Sequence, residues 1–493
     1  MGIKSKTISG LKWSFTDSIV NQIIQFVIGL ILARLLSPSE YGIIGMAMVF
    51  ISISEGIVNC GLGSALIRKQ NCTDNDYNTM FYTNIILGII TFLILYFSAG
   101  AIARFYHNSD LILLTKIMAV NLIINSFGMV ETAILTKRID FKTQTKVSVI
   151  SSSVSGVIGI TLAFLGFGYW SLAIRTLSHN LLRVILLYAF SEFRPKLLFS
   201  IQSFKDLFGF GFKLLIAGLI NNIYNNVYQL IIGRYFSPAE LGYYSRAVQF
   251  QNLPSKNIDN TVQRVTYPVL ANISNDNDKL KDAYKKLIKL LFYIVCFTML
   301  IMIINAKEII LILIGQKWAP SIPYLQILCL SGILYPLHTI NLNLLNAKGR
   351  SDLFLRLEII KKLLVIPVII IGIKFGMIVM LWGMVFNSII AYLLNSVFSG
   401  KLIDYSTWKQ ILDILPTLIN SAIAAILAFF IGKILPSPLF LSLILKTVIA
   451  SGYIFAAGYI FKIPEFLELK SLIKEQSQYY LGQIKFKFKS ANA

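Results

Sequence analysis

The chain has 493 residues, 56% of them apolar and only 14% charged, with a mean hydropathy of +0.70. That balance lies outside the range of soluble globular domains and excludes an ordinary cytosolic enzyme. Its 45 Lys and Arg against 23 Asp and Glu give a net charge of +22, which in so apolar a chain points to cationic loops at a membrane surface rather than to nucleic acid.

About 14 apolar stretches are long enough, at about 20 residues each, to cross a ~30 Å hydrocarbon layer as helices. They fall at 13–36, 43–63, 79–102, 113–134, 147–167, 169–190, 209–234, 242–263, 287–306, 322–345, 357–374, 377–398, 414–434 and 438–461. The eighth is the weakest, since it carries Arg246, Lys256 and Asp259. The first starts at Trp13 with no small-residue cleavage site after it, so it is expected to be a permanent helix. Cys60, Cys72, Cys296 and Cys329 show neither metal-ligand nor redox spacing, and no disulfide framework or zinc site is expected.

The loops alternate in charge. With Met1 in the cytoplasm, the inner segments hold Lys4, Lys6 and Lys12; Arg68 and Lys69; Lys137, Arg138, Lys142 and Lys146; Arg194, Lys196 and Lys205; Lys279, Lys281, Lys285 and Lys286; Lys348 and Arg350; Lys401 and Lys409. The outer turns hold Arg34, Arg104, Arg234, Lys307 with Lys317, Lys374 and Lys433. A bias near ~3–4 to 1 is the positive-inside pattern with both termini cytoplasmic, and it favours an even span count. The tail from Lys462 ends in Lys485-Phe486-Lys487-Phe488-Lys489, which suits either an anionic lipid surface or a disordered basic end.

Shifting the chain against itself by about 200 residues superposes Asn21, Ile23, Val27, Leu30, Ile31, Arg34, Ser37, Pro38, Glu40 and Gly42 on Asn221, Ile223, Val227, Leu230, Ile231, Arg234, Ser237, Pro238, Glu240 and Gly242. This is an internal duplication. Its Ser-Pro-x-Glu-x-Gly core reads as a tight outer turn that caps a helix. Asp74-Asn75-Asp76 and its echo Asp276-Asn277-Asp278 also read as helix caps, in preference to a metal-bound nucleotide-sugar site. With about six spans per repeat, the two units enter the membrane with the same orientation. The expected architecture is an all-α polytopic membrane protein: two parallel six-helix lobes, 1–200 and 201–400, related by a pseudo-two-fold along the membrane normal around a central cleft. Two extra helices at 401–462 and a basic tail at 463–493 complete it.

Ser9-Gly10-Leu11-Lys12-Trp13-Ser14, the run Ala33-Arg34-Leu35-Leu36-Ser37-Pro38-Ser39-Glu40-Tyr41-Gly42, and Gly61-Leu62-Gly63-Ser64-Ala65-Leu66-Ile67 resemble polysaccharide exporters of the Wzx/WzxC type in the MOP flippase superfamily. The resemblance implies flipping of undecaprenyl-pyrophosphate-linked oligosaccharide units across a bacterial inner membrane, by alternating access and driven by an H⁺ or Na⁺ gradient, with no bound cofactor. It also implies a polyprenyl-pyrophosphate-linked oligosaccharide and the lipid bilayer as partners, with a polysaccharide polymerase and chain-length machinery downstream.

Polar groups inside the spans supply the candidate site. An Arg at mid-membrane costs roughly 2.5–3.5 kcal/mol on insertion scales. Arg175, His179 and Arg183 in the sixth span share one helical face at i, i+4 and i+8. Arg246, Gln249, Asn252, Lys256 and Asn260 trace a polar face on the eighth. These cations either line a hydrated cleft that receives pyrophosphate or pair with buried carboxylates and headgroups. Asp17, Asn21 and Gln25 in the first span, and Asn222, Asn225, Asn226 and Gln229 in the seventh, either face water or stitch helices together. Of the acids Asp17, Glu55, Glu131 and Asp259, Glu55 is nearest mid-helix. Glu55 and Asp17 are the candidates for ion coupling, with salt bridges to the arginines as the alternative. His338 and Asn341 read as an interhelical contact.

No Walker loop, dinucleotide fingerprint or nucleophile–base set is present in the sequence, so a secondary transporter is expected rather than an enzyme. Within the same superfamily the alternative is a MATE-like cation or drug exporter, which calls for an acidic cleft. From another class, a membrane-embedded glycan polymerase or ligase calls for large outer loops, and the outer turns here are short. A scramblase or structural membrane protein would not need the paired arginines.

Overall fold

The computed structural model describes residues 3–191, 193–435, 437–471 and 474–475, without the side chains of 3–12, 15, 256–262, 264 and 265. All regular structure among the described residues is helical, and all fourteen expected spans fall on it. Among the described residues, eleven helical segments are long and apolar enough to cross a membrane. The three that fall short are the sixth, eighth and eleventh spans. The sixth, Tyr169–Phe190, carries Arg175 and Arg183; the eighth, Pro238–Asn272, is the most polar; the eleventh is broken into Ser351–Leu363 and Val365–Phe375. Pro367 accounts for the break, because its ring clashes with the carbonyl four residues earlier, that of Leu363.

Two compact units emerge, Met1–Ser245 and Arg246–Ala493. The first holds α1 (Ile3–Leu35), α2 (Pro38–Asn59), α3 (Leu62–Arg68), α4 (Asp74–Tyr106), α5 (Asp110–Lys137), α6 (Phe141–Phe164), α7 (Tyr169–Phe190), α8 (Ile201–Tyr235) and the start of α9 (Pro238–Asn272). Here α1 packs on α6, α6 on α7, α7 on α5, α5 on α4 and α2, and α2 on α8. The buried face of α6 consists largely of small residues, among them Ser151, Ser152, Ser155, Gly156 and Gly159. Small residues let membrane helices approach closely. Gly156 meets Ile28 of α1 and Gly159 meets the stem of Arg175 of α7.

The helix starts follow the capping chemistry of the sequence. Ser37 and Glu40 form a capping box with Pro38 in the first turn of α2, and Thr73 with Asp76 does the same for α4. In the repeat copy the Ser237 hydroxyl accepts the Glu240 amide at 3.2 Å. The acidic triplets are caps, and Asp276 starts α10 in the same way.

Loops sort to the two ends of this unit. At one end Lys69 pairs with Asp76 at 2.7 Å, Lys196 pairs with Asp74 at 2.6 Å, and Lys137 donates to the Lys69 carbonyl. At the other, Arg234 meets His107, and Glu40 approaches Gly168. Exposed apolar side chains such as Ile94 and Phe97 of α4 and Val157 and Phe164 of α6 face outward, as acyl chains require and water does not permit on this scale.

The second unit holds the rest of α9, then α10 (Asn277–Ile304), α11 (Ala306–Leu313), α12 (Ser321–Ile333), α13 (Tyr335–Ala347), α14 (Ser351–Leu363), α15 (Val365–Phe375), α16 (Met377–Leu402), α17 (Thr407–Ile434) and α18 (Leu439–Ile460). Its centre is α10, which packs on α12, α13 and α17. The Tyr284 hydroxyl bonds Asn341 at 2.6 Å, and His338 bonds Ser388 and Asn395 at 3.1 and 3.3 Å, so His338 and Asn341 are interhelical contacts. A buried ion pair at 2.6 Å between Lys446 of α18 and Glu308 of α11 fastens those two helices together.

Candidate functional site

The i, i+4, i+8 faces of α1 and α7 meet through α6. Asn21 donates to the Asp17 carboxylate at 2.6 Å and accepts from the Ser152 hydroxyl at 3.2 Å. Gln25 donates to Ser152 at 3.3 Å, and its side-chain carbonyl accepts from Arg175. A single chain of hydrogen bonds thus runs from Asp17 through Asn21, Ser152 and Gln25 to Arg175. All of these side chains sit on helices of an apolar bundle, where unpaired amides are costly.

Further along α7, the Nδ1 of His179 is buried with no hydrogen-bond partner. One turn on, Arg183 donates to the Thr132 hydroxyl of α5 at 3.1 Å. Its guanidinium borders a cavity of about 350 Å³, whose polar lining includes Glu55, Asn59, Ser64, Asn125 and Thr132. Glu55 accepts from Asn125 at 2.9 Å. Glu55 lines the same cavity as Arg183, and among the described residues no ion pair joins Arg183 to Glu55 or Asp17. A guanidinium bordering a cavity beside neutral donors can take an anionic oxygen, and a carboxylate in the same cavity can take a cation or a proton.

The other expected residues have packed settings. Asn222 donates to the Ser52 carbonyl at 3.3 Å and lies against Gly56, and Asn226 donates back to the Asn222 carbonyl at 2.8 Å. Asn222 thus stitches α8 to α2, one turn from Glu55. Arg246 belongs to the second unit, where it is 7% exposed, bonded to Gln249 and set 5.8 Å over the Trp318 ring. The side chains of Lys256, Asp259 and Asn260, and the tail beyond Glu475, lie outside the described residues.

Sequence reasoning missed the partners. Ser152 hides in the Ser151-Ser152-Ser153 run, and Asn125 and Thr132 lie on a polar face of α5 with Asn121 and Thr136, a periodicity that could have found them. It also passed over Lys446 and Glu308, which sit in or beside apolar spans and mark a structural pair.

The fold is shared with solved transporters. The lipid II flippase MurJ in its inward closed conformation superposes with a TM-score of 0.73 at 16% identity, covering 92% of this chain and 99% of that one. An inward-facing multidrug resistance MATE family transporter of the MOP superfamily gives 0.59 at 18% identity, over 78% of this chain and 98% of that one. Among curated proteins, the lipopolysaccharide biosynthesis protein WzxC of Escherichia coli (strain K12) is 26% identical over 436 residues, 85% of this chain and 88% of that protein. The teichuronic acid biosynthesis protein TuaB of Bacillus subtilis (strain 168) is 28% identical over 365 residues, 71% of this chain and 73% of that protein. The polysaccharide biosynthesis protein family model matches residues 31–323, more than half of the sequence, and the chain belongs to that family.

Proposed function

We propose that this protein is a flippase that moves lipid-linked oligosaccharide units across the membrane for cell-surface polysaccharide assembly. The observation that carries the reading is the polar seam inside an otherwise apolar bundle: Asp17 to Arg175 in one hydrogen-bonded chain, then Arg183 at an open chamber with Glu55. A pyrophosphate needs forked cationic donors to leave the headgroup layer, and Arg175 and Arg183 are of that type. The names of WzxC and TuaB, proteins of lipopolysaccharide and teichuronic acid biosynthesis, and the MurJ-like fold support it.

The cargo is an undecaprenyl-pyrophosphate-linked unit, the site of action is the bacterial inner membrane, and both termini lie in the cytoplasm with the basic loops. The duplicated halves, 1–200 and 201–400, rock as two lobes in alternating access, with the 401–462 helices appended. An H⁺ or Na⁺ gradient drives the cycle, with Glu55 and Asp17 carrying the coupling. No catalytic step is assigned to the chain. The test is depletion in the native cell: lipid-linked glycan accumulates in the cytoplasmic leaflet if the reading is right, and its unimpeded appearance at the surface refutes it.

A further inference from the structure

Glu131, near the end of α5, is an acid with no part in the polar seam, and it is 0% exposed. The hydroxyl of Ser191, the residue that closes α7, donates to its Oε2. Its Oε1 is buried with no hydrogen-bond partner. The surroundings are apolar: Val130, Ala133 and Ile134 of α5 join Leu207 of α8 in a core cluster against which Phe127, Tyr188 and Phe193 pack.

The titratable and charged groups around this junction are bonded elsewhere or face outward. Arg194 of the α7–α8 connection donates to the Ser191 and Phe193 carbonyls at 2.8 and 2.9 Å, and Lys137 donates to the Lys69 carbonyl. The Tyr188 hydroxyl donates to the Phe127 carbonyl at 3.2 Å. Arg138, two turns beyond Glu131 on α5, is exposed, and Glu192 lies outside the described residues. An ionised carboxylate with one oxygen bare in apolar packing is very costly, and the general outcome for such a group is neutralisation. An oxygen with no accessible surface admits a proton and nothing larger.

We propose that Glu131 is a proton-binding site: as the neutral acid, protonated on Oε1, it latches the C-terminal end of α7 to α5 through Ser191. The inference rests on this packing alone and is independent of the transported cargo. The latch bears on the whole of α7, because α5 grips that helix at other points too. Thr132, next to Glu131, accepts from Arg183 at 3.1 Å, and Asn121 accepts from Asn180 at 2.8 Å. Loss of the proton would leave a bare charge in the cluster, which only parted helices and entering water can stabilise. The junction is therefore closed with the proton bound and opens when the proton leaves.

The test is infrared spectroscopy of the purified full chain in detergent at neutral pH, with isotope-labelled carboxyl groups on Glu. A neutral acid and an ionised carboxylate absorb in separate regions, and the label separates Glu from Asp. Subtracting the spectrum of Glu131→Gln from that of wild type should leave one acid band. The variant should fold, since its amide keeps a carbonyl for the Ser191 donor. Ser191→Ala should retain that band, shift it to higher frequency, and speed its exchange in heavy water by about fivefold or more, the scale of one lost hydrogen bond. Comparison of wild type with Ser191→Ala reads the same band directly and serves if Glu131→Gln does not fold. A carboxylate band in place of the acid band overturns the proton site. An acid band that Ser191→Ala neither shifts nor opens to faster exchange overturns the latch. Because the readout is vibrational and no glycan is present, failure here leaves export untouched, and failure of export leaves this site untouched.

Discussion

Gly42 lies so close to Pro238 that a Cβ on it would sit 1.7 Å from the Pro238 carbonyl oxygen. The reverse contact is its counterpart: a Cβ on Gly242 would sit 2.0 Å from the Pro38 carbonyl oxygen. The two copies of Ser-Pro-x-Glu-x-Gly therefore cross glycine to proline in reciprocal fashion, as a two-fold relationship requires. Both obstacles are backbone atoms, which no rotamer change can move. Gly42→Ala and Gly242→Ala should each destabilise the protein by about 1–3 kcal/mol, the usual penalty of overpacking. Thermal melts in detergent check this, with Gly218→Ala as the control, because nothing lies within 4 Å of its new methyl group.

The arginine stripe predicts a loss of transport without loss of protein. Removing Arg175 and Arg183 removes groups that cost roughly 2.5–3.5 kcal/mol each to insert, so Arg175→Ala with Arg183→Ala should reach the membrane at wild-type levels. Export should fall by about tenfold or more, the scale of losing a charged hydrogen bond to the cargo. Surface glycan measured against membrane content of the variant checks both halves, and wild-type export would remove the stripe from the mechanism.

Glu55→Gln keeps a side-chain carbonyl for the Asn125 donor at 2.9 Å but removes the charge facing Arg183. The variant should fold, and its flipping in proteoliposomes should no longer respond to an imposed pH or Na⁺ gradient. A response equal to wild type in both gradients takes coupling away from Glu55.

The Glu308–Lys446 pair is nearly sealed, at 4% and 8% exposure. Lys446→Met leaves a buried carboxylate uncompensated and should cost about 3–5 kcal/mol, whereas Lys446→Met with Glu308→Leu should recover most of that loss. A double-mutant cycle on melting temperature separates the two outcomes.

Outside the spans, the Asp76 carboxylate bonded to Lys69 at 2.7 Å holds that ammonium's pKa above its ordinary value of 10.5. A folded-state value raised above the unfolded one adds stability that is complete below pH 10.5 and is lost as pH rises through the raised value. The stability gap between wild type and Asp76→Asn should thus be constant near neutrality and shrink in alkali, as denaturation followed at several pH values will show.

Much of this molecule is local and periodic, and for that reason could be read from the chain. Hydropathy located fourteen helical stretches, eleven of them long and apolar enough to cross a membrane, the Ser37 motif and the Asp74–Asp76 and Asp276–Asp278 triplets announced helix starts, and a 200-residue echo ran through the sequence. The i, i+4 rule likewise placed Arg175, His179 and Arg183 on one face, because helix geometry fixes that without reference to anything else. Partnership is different. That Gln25 accepts from Arg175, that Ser152 joins two helices, that Arg183 opens on a chamber while Arg246 packs on Trp318, and that Glu308 finds Lys446 all depend on which helices are neighbours. Only tertiary structure decides that, since in an apolar bundle every helix is greasy enough to pack on several others, and close approach of small residues and pairing of buried polar groups select among them.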